Sequence, residues 1–353
     1  MTPNVFESPL LSGLFGDPEI AGAFASEKVL AHYCAFEIEL TRALADEELI
    51  DAAAAAAIVE KAPGFHPDLA GIAAASGRDG MPVPEYVRQF RAFLGPDLAV
   101  SFHVGTTSQD LIDTALVLCL REVNAILATR IKRALNRLGK LVADQGSRPL
   151  MGRTRMQAAL PITAGDRLNN WRAPLGANLE RLESLAPKLE VLQFGGPVGT
   201  LHAYESKGRA VAARLASALE LGAPQKPWHT ERDQLAEYAS WLSLVTGAVG
   251  KIGQDVCLMA QQGVDEIKLT GGGGSSAMSH KQNPITAELL VTLSRFNAVQ
   301  VAGLHQALVH EQERSGANWT LEWMILPQMC LAAGTALRTA NRLLNSIERI
   351  GDP

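Results

Sequence analysis

From residue 231 to 266, Leu235, Tyr238, Leu242, Val245, Val249, Ile252, Val256 and Met259 recur at alternating steps of three and four. This heptad seam restricts the chain to a long helix whose apolar stripe is covered by other long helices, nearly parallel or antiparallel to it. The rest of the chain agrees. Residues 110–145 are almost free of Gly and Pro and predict one long helix. Residues 162–190 predict another, with Trp171, Leu175, Leu179, Leu182, Leu185 and Leu189 on one side. Residues 284–314 and 320–350 are helical again. Aromatic residues are only 5% of the chain, and Ala and Leu lead the apolar share, which favours close-packed helices over sheets. No strand pattern and no internal repeat emerges. The expected fold is all-α: a long central helix bundle flanked by a small helical N-terminal domain. A helix of about 30 residues is roughly 45 Å long and buries little alone. The seam is self-complementary, so a homo-oligomeric bundle is expected.

The N-terminal domain is expected over residues 1–103 and the bundle domain over 104–353. Residues 1–20 read as irregular, and 19–60 as helical through Phe24, Val29, Tyr33, Phe36, Leu40 and Leu44. Pro63, Pro67, Pro82 and Pro84 then cut the chain into short helices. Charged residues make up 20% and the net charge is −5, which points to neither nucleic acid nor a membrane surface as a partner. Cys34, Cys119, Cys257 and Cys330 form no CxxC pair and read as core thiols of a reducing compartment. With no basic-then-apolar leader and no long uncharged apolar run, a cytoplasmic protein is expected.

Three polar islands interrupt the apolar pattern, each expected at a helix end. The first is His103-Val104-Gly105-Thr106-Thr107-Ser108-Gln109-Asp110. Thr107 or Ser108 is the expected N-cap, with Asp110 in the first turn. The hydroxyls and free backbone N–H groups there suit a substrate carboxylate, with His103 as ligand or proton relay. In the second island Arg153 and Arg155 flank Thr154, and Gln157 follows. Arginine forks clamp carboxylates in bidentate fashion. The third runs from Gly271 to Pro284. Four glycines give a hinge, and Ser275, Ser276, Ser279, His280, Lys281 and Asn283 follow as a polar cluster. Asn283 as N-cap and Pro284 as first residue then open a helix whose N-terminus attracts anions. The expectation is a mobile lid over an acidic substrate.

Together the islands resemble the three signature regions of the fumarase/aspartase superfamily. The third carries most of the resemblance: Gly274-Ser275-Ser276-Ala277-Met278-Ser279-His280-Lys281-Gln282-Asn283-Pro284, departing once, with Ser279 where the family has Pro. The resemblance implies a homotetramer with a shared helical core and active sites built from three subunits. It also implies cofactor-free chemistry at the carbon next to a carboxylate. In that chemistry Ser275 carries the catalytic proton, while Lys281 and Asn283 bind carboxylate and hold the enolate-like intermediate, with Ser276 and Met278 as further substrate-binding residues. A doubly charged intermediate of this kind needs preorganised donors in a site closed to water.

Within the superfamily, adenylosuccinate and argininosuccinate lyases carry His after the Thr of the second region; here that place is Arg155. Adenylosuccinate lyases carry another His near residues 81–85, where none stands here. The chain is similar instead to the 3-carboxy-cis,cis-muconate cycloisomerases, lactonizing enzymes of the protocatechuate branch of the β-ketoadipate pathway. The similarity lies in Phe194–Thr200, Pro227–Asp233 and His310–Trp319. A tricarboxylate substrate needs several cations, and Arg232 and Arg314 join the candidate substrate ligands, with Glu311 and Glu313 as their expected partners. Trp228 and Trp319 read as packing anchors, and His229 and His310 as exposed-loop residues. The alternatives are a lyase releasing fumarate and a non-catalytic relative. The eight histidines show no ligand-like spacing, so no metal is expected. Superfamily members usually carry a C-terminal helical domain, expected here to be largely missing beyond Pro353.

Overall fold

The computed structural model describes residues 4–271, 273–274 and 282–352. It is a bundle of long helices with short ones packed on one end. The N-terminal part contains α1 (Pro18–Ala23), α2 (Ser26–Asp46), α3 (Ala52–Lys61), α4 (Leu69–Asp79) and α5 (Val83–Leu94). The stretch 19–60 is therefore not one helix: it is broken at Phe24–Ala25 and again after Asp46, and Asp51 starts α3 by accepting from the Ala54 N–H.

The bundle consists of α6 (Ser108–Gln145), α7 (Ala164–Leu189), α9 (Asp233–Met259), α10 (Ile285–Gln306) and α11 (Ala317–Ser346), with the shorter α8 (Gly208–Ala218) against α2. All eight seam residues of α9 are at most 2% exposed. They are covered by α7, α10 and α11 of the same chain. The seam is thus satisfied internally and does not by itself call for a second copy. Apolar side chains elsewhere on the bundle do remain uncovered: Leu244 on α9, Val299 on α10 and Met324 on α11 are more than half exposed. Helices α9 and α10 approach so closely that a Cβ on Gly253 would lie 2.4 Å from the Ala287 carbonyl oxygen.

Strands, which the sequence did not announce, appear at the end of the bundle where α6 finishes. β1 (Pro149–Thr154) and β2 (Gln157–Thr163) form an antiparallel hairpin. β3 (Ile267–Leu269) pairs with β6 (Ile347–Ile350), which ends the expected helix over 320–350 at Ser346; the one expected over 231–266 gives way to turns after Met259. β4 (Gly273–Gly274) pairs with β5 (Gln282–Asn283). Asn283 therefore sits in a strand, and Pro284, not Asn283, occupies the N-cap position of α10, without a side-chain cap. The expected helix over 284–314 stops at Gln306. Among the described residues no helix is long and apolar enough to cross a membrane.

Candidate active site

The first island forms the start of α6. Thr107 and Asp110 make a reciprocal capping box. Asp110 does more than cap. Its Oδ2 accepts from the Thr107 N–H (3.1 Å), the Thr106 hydroxyl (3.0 Å) and the Gly196 N–H (2.9 Å). Its Oδ1 accepts from the Gly195 N–H (3.0 Å) and lies 2.8 Å from His229 Nε2. The chain's own carboxylate thus occupies donors that the sequence assigned to substrate. Gly105 and Gly196 allow this crossing of loops: each has positive φ, and a Cβ on Gly196 would lie 2.7 Å from the Gly105 oxygen.

One turn deeper, Asp113, Arg232 and Glu322 form a buried ionic cluster. Arg232 holds Asp113 at 2.6 and 3.1 Å and pairs in bidentate fashion with Glu322. Its guanidinium also stacks 4.8 Å from the Trp228 ring. Trp319 Nε1 donates to Asp113 (2.9 Å), and Gln109 Nε2 donates to Asp113 (3.1 Å) and to the His229 carbonyl (2.9 Å). Burial pushes the Asp113 carboxyl towards protonation; Arg232 and these donors outweigh it and hold the carboxyl below its usual range. His310 is fully enclosed, with Nε2 3.5 Å from Glu322 Oε1.

At the mouth of this region Arg314 donates to Gln109 Oε1 (3.1 Å) and the Pro197 carbonyl (3.0 Å). Among the described residues no carboxylate neutralises it. His103, at φ 59°, places Nδ1 2.5 Å from Glu37 Oε1.

The other two islands lie elsewhere. Helix α6 has 38 residues, so about 57 Å separates the first island from the β1–β2 hairpin. At the hairpin tip Arg155 and Met156 both have positive φ, as a tight two-residue turn requires. The second island is therefore a hairpin and not a helix end. Arg153 donates to Glu266 Oε1 (2.7 Å). Thr154, Arg155 and Gln157 are exposed, and Arg155 has no ion partner among the described residues. The β4–β5 pair follows β3 at this same end. Ser275, Ser276, Met278, Ser279, His280 and Lys281, and with them the expected lid, lie outside the described residues.

A family model described as lyase matches residues 23–303. The chain belongs to this lyase family. It is 37% identical to a 3-carboxy-cis,cis-muconate cycloisomerase of Pseudomonas aeruginosa over 98% of this chain and 76% of that protein. It is 34% identical to a nitrosuccinate lyase of Streptomyces davaonensis, over 97% and 75%. Among solved structures, the 3-carboxy-cis,cis-muconate lactonizing enzyme of Pseudomonas putida superposes with a TM-score of 0.91 at 34% identity, covering 97% of this chain and 77% of that one. The all-α bundle is thus the fumarase/aspartase-type fold that the islands implied.

For a lyase-family chain the candidate residues divide clearly. His103, Thr106, Thr107, Ser108 and Arg314 are brought together at the start of α6, along with the segments 194–200, 227–233 and 310–319. Arg153, Thr154, Arg155, Gln157 and Asn283 belong to the opposite end. Arg232, expected to meet substrate, is 2% exposed and held by two carboxylates, which leaves it a structural cation. Its partners are Asp113 and Glu322, not Glu311 or Glu313; Glu311 takes the Ser315 hydroxyl instead. His229 and His310 are enclosed, not exposed. Trp228 and Trp319 are packing anchors, as expected, with both indole N–H groups bonded. Glu37 and Glu322 went unnoticed in the sequence. Each is an acid on an apolar stripe, Glu37 between Tyr33 and Leu40, Glu322 between Trp319 and Leu326, and that misplacement is the signal that finds them.

Proposed function

We propose that this chain is a cycloisomerase closing 3-carboxy-cis,cis-muconate to a carboxymuconolactone. The observation that carries the reading is similarity over nearly the whole chain to proteins of that name. One carboxylate of the substrate adds to the carbon β to another, forming the ring C–O bond, and the α-carbon takes a proton. The substrate supplies its own nucleophile. The enzyme orients the diene and places cations at the remaining carboxylates. Arg314 and Arg155, whose charges no described carboxylate neutralises, suit that role. Arg155 also stands where amine-releasing lyases keep histidine, and lactone closure releases no amine. Ser275 is the proposed proton donor, with Lys281 and Asn283 at a carboxylate. No cofactor enters this scheme.

Arg314 and Arg155 stand at opposite ends of one chain. The proposed site therefore joins the α6 start of one subunit to the hairpin and lid of others, in a homotetramer. The hairpin supports this: its Met156 and Leu160 are 68% and 73% exposed, apolar surface that a neighbouring subunit would cover.

Purified protein mixed with 3-carboxy-cis,cis-muconate, without metal or cofactor, should bleach the diene absorbance and give a lactone by NMR. Release of fumarate from adenylosuccinate or argininosuccinate, with the muconate untouched, would replace this reading by the lyase one. Ser275→Ala should lower kcat by about 10²–10⁴-fold with the assembly intact; near-normal turnover removes Ser275 from the mechanism.

A further inference from the structure

We propose that Glu37 is a positioning residue for the reaction: it fixes His103 in the Nδ1–H tautomer, leaving Nε2 to carry a proton at the edge of the site. The inference rests on the cycloisomerase reading for its chemistry but on local geometry for the pairing.

The need follows from proton balance. The substrate carries three carboxylates and the lactone two, because one carboxylate oxygen becomes the ring ester. The C–O bond forms from the carboxylate electron pair, the double bond's electrons move to the α-carbon, and that carbon takes one proton. Each turnover therefore consumes a proton that water must resupply through a titratable group. Of the histidines near the α6 start, His229 and His310 are enclosed, with side-chain exposures of 5% and 0%, and His202 is exposed with its Nδ1 3.2 Å from the Thr200 hydroxyl; His103 is 14% exposed and, unlike His202, has a buried carboxylate on its ring among the described residues. Its Nδ1 is engaged by Glu37, and Nε2 makes no hydrogen bond within the described residues.

Packing gives no reason for an acid at position 37. It is fully buried on α2, no Lys or Arg pairs with it, and Oε2 has no partner among the described residues. Burying a carboxylate in this way is costly, and a glutamine or leucine would pack there at less cost. His103 in turn holds a positive φ that a non-glycine residue adopts only under constraint. Two unfavourable features meet in one contact, and that contact orients an imidazole.

The groups facing the pair do not compete for the proton. The Tyr86 and Tyr204 hydroxyls and the Cys34 thiol are all pushed up by burial and stay neutral. Asp110 faces away from the pair into four N–H and O–H donors and His229 Nε2. Tyr204 is further fixed by donating to the Val104 carbonyl at 2.8 Å, beside His103.

The test begins on the unaltered protein. With ¹⁵N-labelled histidine, and the His103 signal assigned by its loss in His103→Gln, NMR should find the neutral ring protonated at Nδ1. An Nε2–H tautomer overturns the proposal, whatever the substrate proves to be. In Glu37→Gln, kcat should fall about 10–100-fold, the scale for losing a carboxylate that orients a metal-ligating histidine, with KM changed far less. Unchanged kcat in a folded Glu37→Gln overturns the proposal. Failure of the wild type to turn over the muconate, with the Nδ1–H tautomer present, would refute the cycloisomerase reading and leave the pairing standing.

Discussion

Arg232 shows how a residue's chemistry depends on what surrounds it. In sequence it is a cation in a polar cluster at a helix start; in the fold it is enclosed by Asp113, Glu322 and the Trp228 ring. Replacing it with leucine leaves two buried carboxylates unpaired and should cost about 3–5 kcal/mol, measurable by urea unfolding. Loss of activity would then follow stability, not substrate affinity. Asp113 gives the cluster a pH signature. Its folded-state pKa lies below the unfolded one, so its contribution is complete above the ordinary carboxylate range near 4. That contribution disappears as pH falls through the depressed value. Asp113→Asn should therefore flatten the acid limb of stability against pH; an acid limb identical to wild type would place the titration elsewhere. The sequence located the polar clusters here but not their internal partners, because Glu37, Asp113 and Glu322 contribute single acids from distant helices.

At the level of elements, the helices were legible because periodicity is a local property. Every seam position of α9 is buried, and the α6 and α7 boundaries fall within two residues of their expected places. The hairpin was not legible. β2 reads Gln-Ala-Ala-Leu-Pro-Ile-Thr and is exposed along most of its length, so no burial imposes alternation on it. The short β3 and β6 were hidden for a different reason: each continues a helical run and is set by pairing across 80 residues of sequence. Close packing of α9 on α10 gives a test at this scale. Gly253→Ala gains about 1 kcal/mol of helix propensity. Against that gain, its Cβ would meet the Ala287 backbone at 2.4 Å, and overpacking typically costs about 1–3 kcal/mol. A lower Tm is expected; a higher one would show that the two helices separate easily.

For the whole molecule, the separation of the islands matters more than any single contact. The expectation of association began from the α9 seam, which the chain buries itself. The better argument is the length of α6, which holds the first island apart from the hairpin. On the proposed shared site, Arg314→Ala and Arg155→Ala chains damage opposite ends of the bundle. Each alone should be nearly inactive. Unfolded together and refolded, they should recover part of the wild-type activity, since some mixed sites take both intact ends. Recovery no greater than the sum of the two variants would indicate sites complete within one chain.

The same 38-residue helix has a kinetic consequence. A site assembled from several chains exists only while those chains are together, so the concentration of working sites falls faster than the concentration of protein. Progressive dilution should lower specific activity below a threshold set by the assembly constant, while each chain keeps its helical circular dichroism. Substrate that bridges two subunits should move that threshold downward, making the tricarboxylate a ligand of the assembly as well as of the site.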